Sequence, residues 1–282
     1  MNEILQNMIA AAAAGGETAL RMQEKRIARE EKALRDFVTE ADRAVEAVVA
    51  ERVRAAFPGA GISGEEGVAD AAPQEGAPHF VIDPIDGTTN YAWGMPHFGL
   101  TIALVENGQV AAGVVMDPAL REIFSAVRGN GAWLNGKKLT RPEADPDPAR
   151  CVFGAGLPLP GQVRSIPEAR YHAALRRLMD HAAGVRRMGS SALSIAWVAA
   201  GRLDGFFEDG LSLHDYGAAA LIAEMAGARV SGFTGGAAGG VRGDVLVADA
   251  RIYDWLREGL ASDSDDAAPA QSSSDCGSSV VI

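Results

Sequence analysis

Apolar residues three and four positions apart predict two helices in the first part of the chain. The first covers residues 3–30, with Leu5 and Met8 on its buried side. The second begins after Thr39, where alanines and valines recur at helical spacing, and it ends before Pro58. The chain is therefore expected to start with a pair of amphipathic helices.

Two apolar runs further along predict a hairpin. Residues 98–118 are apolar on both sides of Asn107-Gly108, a pair that suits the positive φ angles of a type I′ turn. The short apolar run at residues 79–83 predicts a buried strand before the hairpin, and residues 122–139 predict further strands and turns after it. We therefore expect the first half of the chain to form a mostly antiparallel sheet.

The second half alternates between strand and helix patterns, which indicates helices packed on a sheet. The predicted strands cover residues 150–157, 184–188, 203–208 and 243–249. The predicted helices cover residues 167–181, 190–201, 214–227 and 252–260. The chain is thus expected to belong to the α/β class.

The composition is typical of a globular protein with an acidic surface. The 282 residues are 48% hydrophobic and carry a formal net charge of −11. Such a protein is a poor candidate for nonspecific binding to nucleic acid or to anionic membranes. No apolar run is long enough to predict a membrane span, so we expect neither nucleic acid nor membrane as a partner.

The ends of the chain and its two cysteines suggest where the protein works. Residues 1–16 carry Glu3 and no basic residue before an alanine run, which favours the first turns of a helix over a signal peptide. Cys151 and Cys276 form neither a metal-ligand spacing nor a disulfide framework, so a cytoplasmic setting is expected. Residues 261–282 contain no Lys or Arg and are rich in Ser, Ala and Asp, which predicts a disordered tail.

The stretch FVIDPIDGTTN leads from the buried strand directly into two carboxylates, Asp83 and Asp86. Adjacent carboxylates repel each other unless a cation lies between them, and Mg²⁺ prefers such oxygen ligands. The Ile85 carbonyl, which follows a proline of fixed φ, could supply a further oxygen. Alternatively, the stretch is an ordinary Asp-Gly turn with solvated acids.

Gly87, Thr88 and Thr89 follow these acids. Glycine lets another group approach the backbone closely, and the free N–H groups of a helix or turn that starts here would bind an anion. The stretch therefore offers a metal site on one side and a phosphate site on the other.

Two further acidic turns lie at the ends of predicted elements. Glu65 and Glu66 lie in a glycine-bounded turn, which could also be a solvated loop. Asp215 lies where a helix begins, and there it could simply stabilise the helix dipole. The sequence alone does not show whether these turns converge.

The segments GEE, DPIDGTTN and the Asp before GAAALIAEMAGA together resemble the inositol monophosphatase family. The resemblance covers residues 1–260 and implies a layered α/β sandwich in the order αβαβα. An antiparallel sheet is expected in residues 1–148 and a smaller mixed sheet in residues 149–260.

The resemblance also implies a catalytic centre that holds two or three Mg²⁺ ions. Its implied metal ligands are Glu65, Asp83, the Ile85 carbonyl, Asp86 and Asp215. Water would attack the phosphate ester directly, without a covalent enzyme intermediate.

The implied catalytic residues are Asp42, Thr88 and Glu65, with Thr88 and Asp42 acting as a pair on the water. From the residues alone, Thr39 and Asp42 predict an N-terminal capping box, with Asp in place of the usual Glu. Both roles of Asp42 are compatible.

The resemblance further implies contacts to a small phosphorylated substrate. The implied substrate-binding residues are Gly87, Thr88, Thr89, Gly189, Ser190, Glu208 and Asp215. His214 departs from the family, which usually has Trp before the last metal-binding Asp. Inositol monophosphate is the first expectation, and histidinol phosphate or fructose 1,6-bisphosphate are alternatives, with a nucleotide 3′-phosphate ranked lowest.

The resemblance also implies a homodimer. A role of another class stays open: a regulatory protein that keeps the fold and binds partners.

Overall fold

The computed structural model describes residues 3–24, 29–33, 36–69, 78–158, 160–239 and 243–261. The predicted tail beyond residue 261 lies outside these ranges. None of the helices within them combines the length and the continuous apolarity that a membrane span requires.

The helices and strands of the described ranges follow in chain order. The helices are α1 (Glu3–Gln23), α2 (Glu40–Ala56), α3 (Thr88–Ala92), α4 (Glu168–His181), α5 (Ser191–Ala199), α6 (Leu213–Met225) and α7 (Tyr253–Ala261). The strands of the first half are β1 (Arg29–Ala33), β2 (Asp36–Thr39), β3 (Gly61–Gly64), β4 (His79–Asp86), β5 (Gly99–Glu106), β6 (Gln109–Asp117), β7 (Glu122–Val127), β8 (Gly131–Leu134) and β9 (Lys137–Lys138). The strands of the second half are β10 (Val152–Ala155), β11 (Gly184–Arg186), β12 (Gly205–Leu211), β13 (Arg229–Ser231) and β14 (Gly243–Ala248).

The strands form one large sheet, one small sheet and a separate hairpin. The large sheet has the order β3-β4-β5-β6-β7-β8-β9, and it is antiparallel except for the β3–β4 pair. The small sheet has the order β11-β10-β12-β14-β13 and is mixed, since β10 runs parallel to both of its neighbours. This arrangement confirms the predicted pair of sheets.

Strand alternation separates three hydrophobic layers. In β4, Phe80 and Ile82 pack with α1 and α2, whereas Val81 points to the opposite face. In β12, Phe206 faces the middle of the molecule and Phe207 faces α4 and α7. The predicted order αβαβα is confirmed, with α5 and α6 between the two sheets.

The sequences of α5 and α6 explain their central position. A helix that is apolar on all sides must be buried on all sides. Eight of the nine residues of α5 are buried, as are eight residues of α6. Both helices start at the same edge of the molecule, where β4 and β12 end.

The predicted helix over residues 3–30 is wrong at its C-terminal end. Helix α1 ends at Gln23, and Arg29–Ala33 pairs with Asp36–Thr39 as an antiparallel hairpin. The residues after Gln23 are mostly charged, so they offer no apolar stripe to bury against the sheet. Strand β13 was also not predicted, because three residues are too few to show a period.

Candidate active site

Three acids from distant parts of the chain meet at one edge of the large sheet. Glu65 follows β3, Asp83 lies in β4, and Asp215 lies in the first turn of α6. One carboxylate oxygen from each lies within 4.8 Å of the others. Asp83 is buried and Glu65 is exposed, so the cluster runs from the interior to the surface.

The end of β4 is irregular, and this irregularity forms the motif. The pairing of β4 with β5 shifts between Asp83 and Asp86, as in a β-bulge that redirects side chains next to a site. Asp83 Oδ1 accepts a hydrogen bond from Ile85 N at 2.9 Å. The Ile85 carbonyl accepts one from the Thr88 hydroxyl at 3.0 Å.

The charges of the cluster favour a bound cation. The pKa of Asp83 is raised well above its ordinary value, first by burial and then by the neighbouring charges of Glu65, Asp86 and Asp215. A divalent cation with oxygen ligands would relieve both effects at once. The donor set therefore fits a hard metal such as Mg²⁺.

Asp86 lies beside this cluster, and its carboxylate accepts hydrogen bonds from the start of α5. The Ser190 hydroxyl and Ala192 N donate to Oδ2, while Ser191 N and Oγ donate to Oδ1 at 3.3 Å each. Burial raises the pKa of Asp86 to about 7. Through these hydrogen bonds, Asp86 connects the DPIDGTT motif to the second half of the chain.

Asp42 and Thr88 form the expected pair. Asp42 is 1% exposed, and the backbone N–H and hydroxyl of Thr39 donate to it in the predicted capping box. The Thr88 hydroxyl lies 3.2 Å from Asp42 Oδ1. Burial raises the pKa of Asp42, which makes its carboxylate a stronger base.

The turn after Asp86 brings two backbone segments together. Gly87 adopts a φ of 92° at the start of α3, and a Cβ there would lie 2.8 Å from the Gly189 carbonyl oxygen. Asn90 Nδ2 donates to the carbonyls of His97 and Met188 at 2.7 Å each. The predicted substrate-binding residues Gly87, Thr88, Thr89, Gly189 and Ser190 therefore belong to one locality.

A cavity of about 170 Å³ lies next to this turn. Its walls include Asp86, Ser190, Glu208 and Asp215, together with Arg187. The pKa of Glu208 is raised to about 8, chiefly by burial and then by the charges of Asp86 and Asp215, while Arg187 opposes the shift. The wall of this cavity therefore contains both residues predicted to bind metal and residues predicted to bind substrate.

His214 does not line this cavity, and its side chain contacts β3. Its Nε2 lies 3.4 Å from the Ser63 hydroxyl and its Nδ1 lies 3.4 Å from the Ser212 hydroxyl. Burial lowers its pKa. The residue that departs from the resembled family pattern therefore contacts β3 and does not line the cavity that contains Glu208.

Sequence reasoning missed the roles of Glu46 and Asn90. Glu46 is 1% exposed and accepts backbone N–H groups from the turn that carries Glu65. Its sequence context, VEAVVAE, looks like an ordinary charged position on a helix. Asn90 was part of the quoted motif, but only its contact to Met188 shows what it joins.

The chain is similar to known proteins in both sequence and structure. The sequence profile of the inositol monophosphatase family matches residues 1–267. Over 239 residues the chain is 41% identical to Nus factor SuhB of Pseudomonas aeruginosa, covering 83% of this chain and 87% of that protein. Over 223 residues it is 38% identical to an inositol-1-monophosphatase of Rhizobium meliloti, covering 79% and 82%. The solved structure of the extragenic suppressor protein suhB from Bartonella henselae has a TM-score of 0.86 at 33% identity and covers 92% of this chain and 98% of that one.

Proposed function

Since the chain belongs to the inositol monophosphatase family, we propose that it is a Mg²⁺-dependent phosphomonoesterase that hydrolyses inositol monophosphate. The observation that carries this proposal is the convergence of Glu65, Asp83 and Asp215 within 4.8 Å beside a polar cavity. Three separate acidic turns meet there, and one of their acids, Asp215, also lines the cavity.

The proposed metal ligands are the carboxylates of that cluster, Asp86 and the Ile85 carbonyl. Bound Mg²⁺ supplies Lewis-acid stabilisation of the phosphoryl charge and lowers the pKa of water. The Asp86 carboxylate already accepts four hydrogen bonds, so it must release at least one of them to bind metal. The two from Ser191 are the longest, at 3.3 Å, and are the ones we expect it to release.

The proposed base is the pair of Thr88 and Asp42. Once the Ile85 carbonyl binds metal, the Thr88 hydroxyl would donate its proton to Asp42 instead of to that carbonyl, and its oxygen would accept a hydrogen bond from the attacking water. The raised pKa of Asp42 brings this carboxyl closer to the value a general base needs near neutral pH. Glu65 would also contact the attacking water and help to hold it in position.

The substrate would lie between the turn and the cavity. The phosphate would accept hydrogen bonds from the backbone N–H groups of Gly87 and Thr88 and from Thr89, since the first N–H groups of a helix have no partner within it. The alcohol would occupy the cavity, where the Glu208 carboxylate can accept hydrogen bonds from substrate hydroxyls once it is ionised. A polyol such as the inositol ring suits this wall. Histidinol phosphate and fructose 1,6-bisphosphate are the alternative substrates to inositol monophosphate.

The first experiment is phosphate release, with and without Mg²⁺, from inositol 1-phosphate, histidinol phosphate and fructose 1,6-bisphosphate. Asp83→Asn should abolish turnover, because the central carboxylate of the cluster is lost. Asp180→Asn on α4 is the matched control, since that side chain is exposed and pairs with Arg176. Turnover by Asp83→Asn equal to that of the wild type would contradict the proposed site.

The name of the Pseudomonas relative, Nus factor SuhB, favours a second candidate function: a regulatory protein that binds partners on the same fold. The test uses a strain from which the gene for this protein has been deleted. If a catalytically inactive Asp83→Asn variant still restores the growth of that strain, the regulatory role is supported. Loss of complementation would support the enzyme. We also propose a homodimer, which light scattering of the purified protein would test.

A further inference from the structure

The carboxylate of Glu46 holds the turn that carries Glu65. Glu46 Oε2 accepts a hydrogen bond from Glu66 N, and Oε1 accepts one from Val68 N, each at 2.7 Å. Glu65 lies directly before the first of these donors. The glutamate side chain therefore bridges both arms of the turn.

The backbone of the same turn is held from the side of the sheet as well. Glu65 N donates to the Ile82 carbonyl at 3.1 Å, and Gly64 N donates to the Val68 carbonyl at 2.7 Å. The first bond holds the turn against β4, and the second joins the two ends of the turn to each other. Glu46 satisfies the N–H groups between them, which would otherwise need water.

Gly64 shows how closely the Glu46 side chain packs. A Cβ at position 64 would collide with the carboxyl group of Glu46, so the glycine is needed here for close approach. Glu46 is also 1% exposed, which leaves water little access to the contact. The fit between α2 and the turn is therefore tight in both hydrogen bonding and shape.

Glu46 is separate from the acids that meet in the cluster. The carboxylates that come together there are those of Glu65, Asp83 and Asp215, whereas both oxygens of Glu46 already accept backbone N–H groups. Glu46 lies one helical turn after Asp42 on α2, so one rigid helix reaches both the proposed base and the Glu65 turn.

We propose that Glu46 is a positioning residue that orders the turn of residues 64–68 and thereby sets the affinity of the acidic cluster for a divalent cation. The inference rests on the proposed function in that the cluster binds Mg²⁺. Without Glu46 the turn of residues 64–68 would be less ordered in the metal-free protein, and the free energy of ordering it on metal binding would appear as weaker binding of the cation.

The test uses Glu46→Gln, whose amide group keeps one acceptor and places an N–H₂ against the other donor. Hydrogen exchange of the metal-free protein should show faster exchange at Glu66 and Val68. Calorimetric titration with Mg²⁺ should show a Kd raised about 10- to 100-fold, the usual effect of removing a residue that orients a metal ligand. Glu51→Gln, an exposed position on the same helix, should change neither.

The outcomes separate this inference from the proposed function. If the wild type binds no Mg²⁺, the metal site is wrong, while exchange still reports whether Glu46 orders the turn. If the wild type binds Mg²⁺ and Glu46→Gln binds it equally well with a faster-exchanging turn, the inference is overturned. Asp83→Asn should lose Mg²⁺ binding and keep the turn protected, whereas Glu46→Gln should weaken Mg²⁺ binding and lose the protection of the turn.

A second variant covers the case in which Glu46→Gln does not fold. Gly64→Ala keeps the glutamate at position 46 but pushes its carboxylate away from the turn, because the added Cβ would occupy the same space. It should raise the Kd for Mg²⁺ and the exchange at Val68 together. An unchanged Kd in a folded Gly64→Ala protein whose turn exchanges faster would also overturn the inference.

Discussion

Glu208 is a carboxylic acid that the fold holds beside other acids, and its protonation should show in stability. Its pKa rises from 4.5 to about 8 in the folded state, chiefly through burial. Between these values the folded protein binds a proton that the unfolded chain has lost. The contribution to stability is therefore complete below pH 4.5 and is lost as the pH rises towards 8.

The corresponding prediction uses metal-free Glu208→Gln. Its unfolding free energy should exceed that of the wild type by an amount that grows from pH 5 to pH 8, by at most ~1.4 kcal/mol per pH unit, and then stays level. Urea unfolding at several pH values measures the difference. Glu106→Gln, at an exposed hairpin position, is the control, and parallel curves for wild type and Glu208→Gln would contradict the raised pKa.

Thr88 allows a sharper separation of chemistry from binding. Thr88→Val removes the hydroxyl that contacts Asp42, so kcat should fall by about 10²- to 10⁴-fold, the range typical of a general base. The Kd for Mg²⁺ should stay close to that of the wild type. Thr88→Ser keeps the hydroxyl and should restore most of kcat. Equal losses in both variants would indicate packing and not proton transfer.

At the scale of elements, Asp209 joins β12 to the segment before α4. Its carboxylate accepts hydrogen bonds from Arg164 N and Ser165 N, both at 2.9 Å, from the Ser165 hydroxyl at 3.0 Å and from Gly210 N at 2.7 Å. It is 2% exposed. The bonds hold the segment near the outer face of the strand that carries Glu208.

Asp209→Asn should destabilise the protein. The amide nitrogen that replaces one carboxylate oxygen cannot accept the hydrogen bonds that this oxygen now accepts. The expected cost is about 1–3 kcal/mol, that of leaving buried donors unsatisfied. Denaturant unfolding measures it, and faster proteolysis within residues 160–166 should accompany it. An effect as small as that of Asp180→Asn, which breaks only an exposed ion pair, would show that water replaces the bonds.

The sequence predicted local features better than contacts between distant residues. Asn107 and Gly108 have φ angles of 50° and 75°, as the hairpin pattern requires, and the Thr39 capping box is present. Both depend only on neighbours in the chain. The convergence of the acidic turns could be expected only through the family resemblance. Glu46 was missed because its partners lie 20 and 22 residues away and nothing local distinguishes it from a solvated charge.

At the scale of the whole molecule, the acidic cluster lies at the meeting of three structural units. Asp83 belongs to the large sheet, Asp215 starts a central helix, and Asp86 accepts hydrogen bonds from the start of the other central helix. Their mutual repulsion acts between the units that the fold must hold together. A cation that binds only the folded arrangement should therefore stabilise the whole molecule.

Mg²⁺ at about 100 times its Kd should add about 2.7 kcal/mol, which for a chain of this size raises Tm by roughly 5–10 °C. EDTA should reverse the shift. Asp83→Asn should show no shift with Mg²⁺, yet its metal-free Tm at pH 8 should equal or exceed that of the wild type, because burial and the neighbouring acids disfavour a charge at this position, and the neutral amide keeps an oxygen that can accept from Ile85 N. Asp180→Asn should shift as the wild type does. Differential scanning calorimetry measures each of these Tm values, and a lower metal-free Tm for Asp83→Asn would show that repulsion in the cluster does not limit stability.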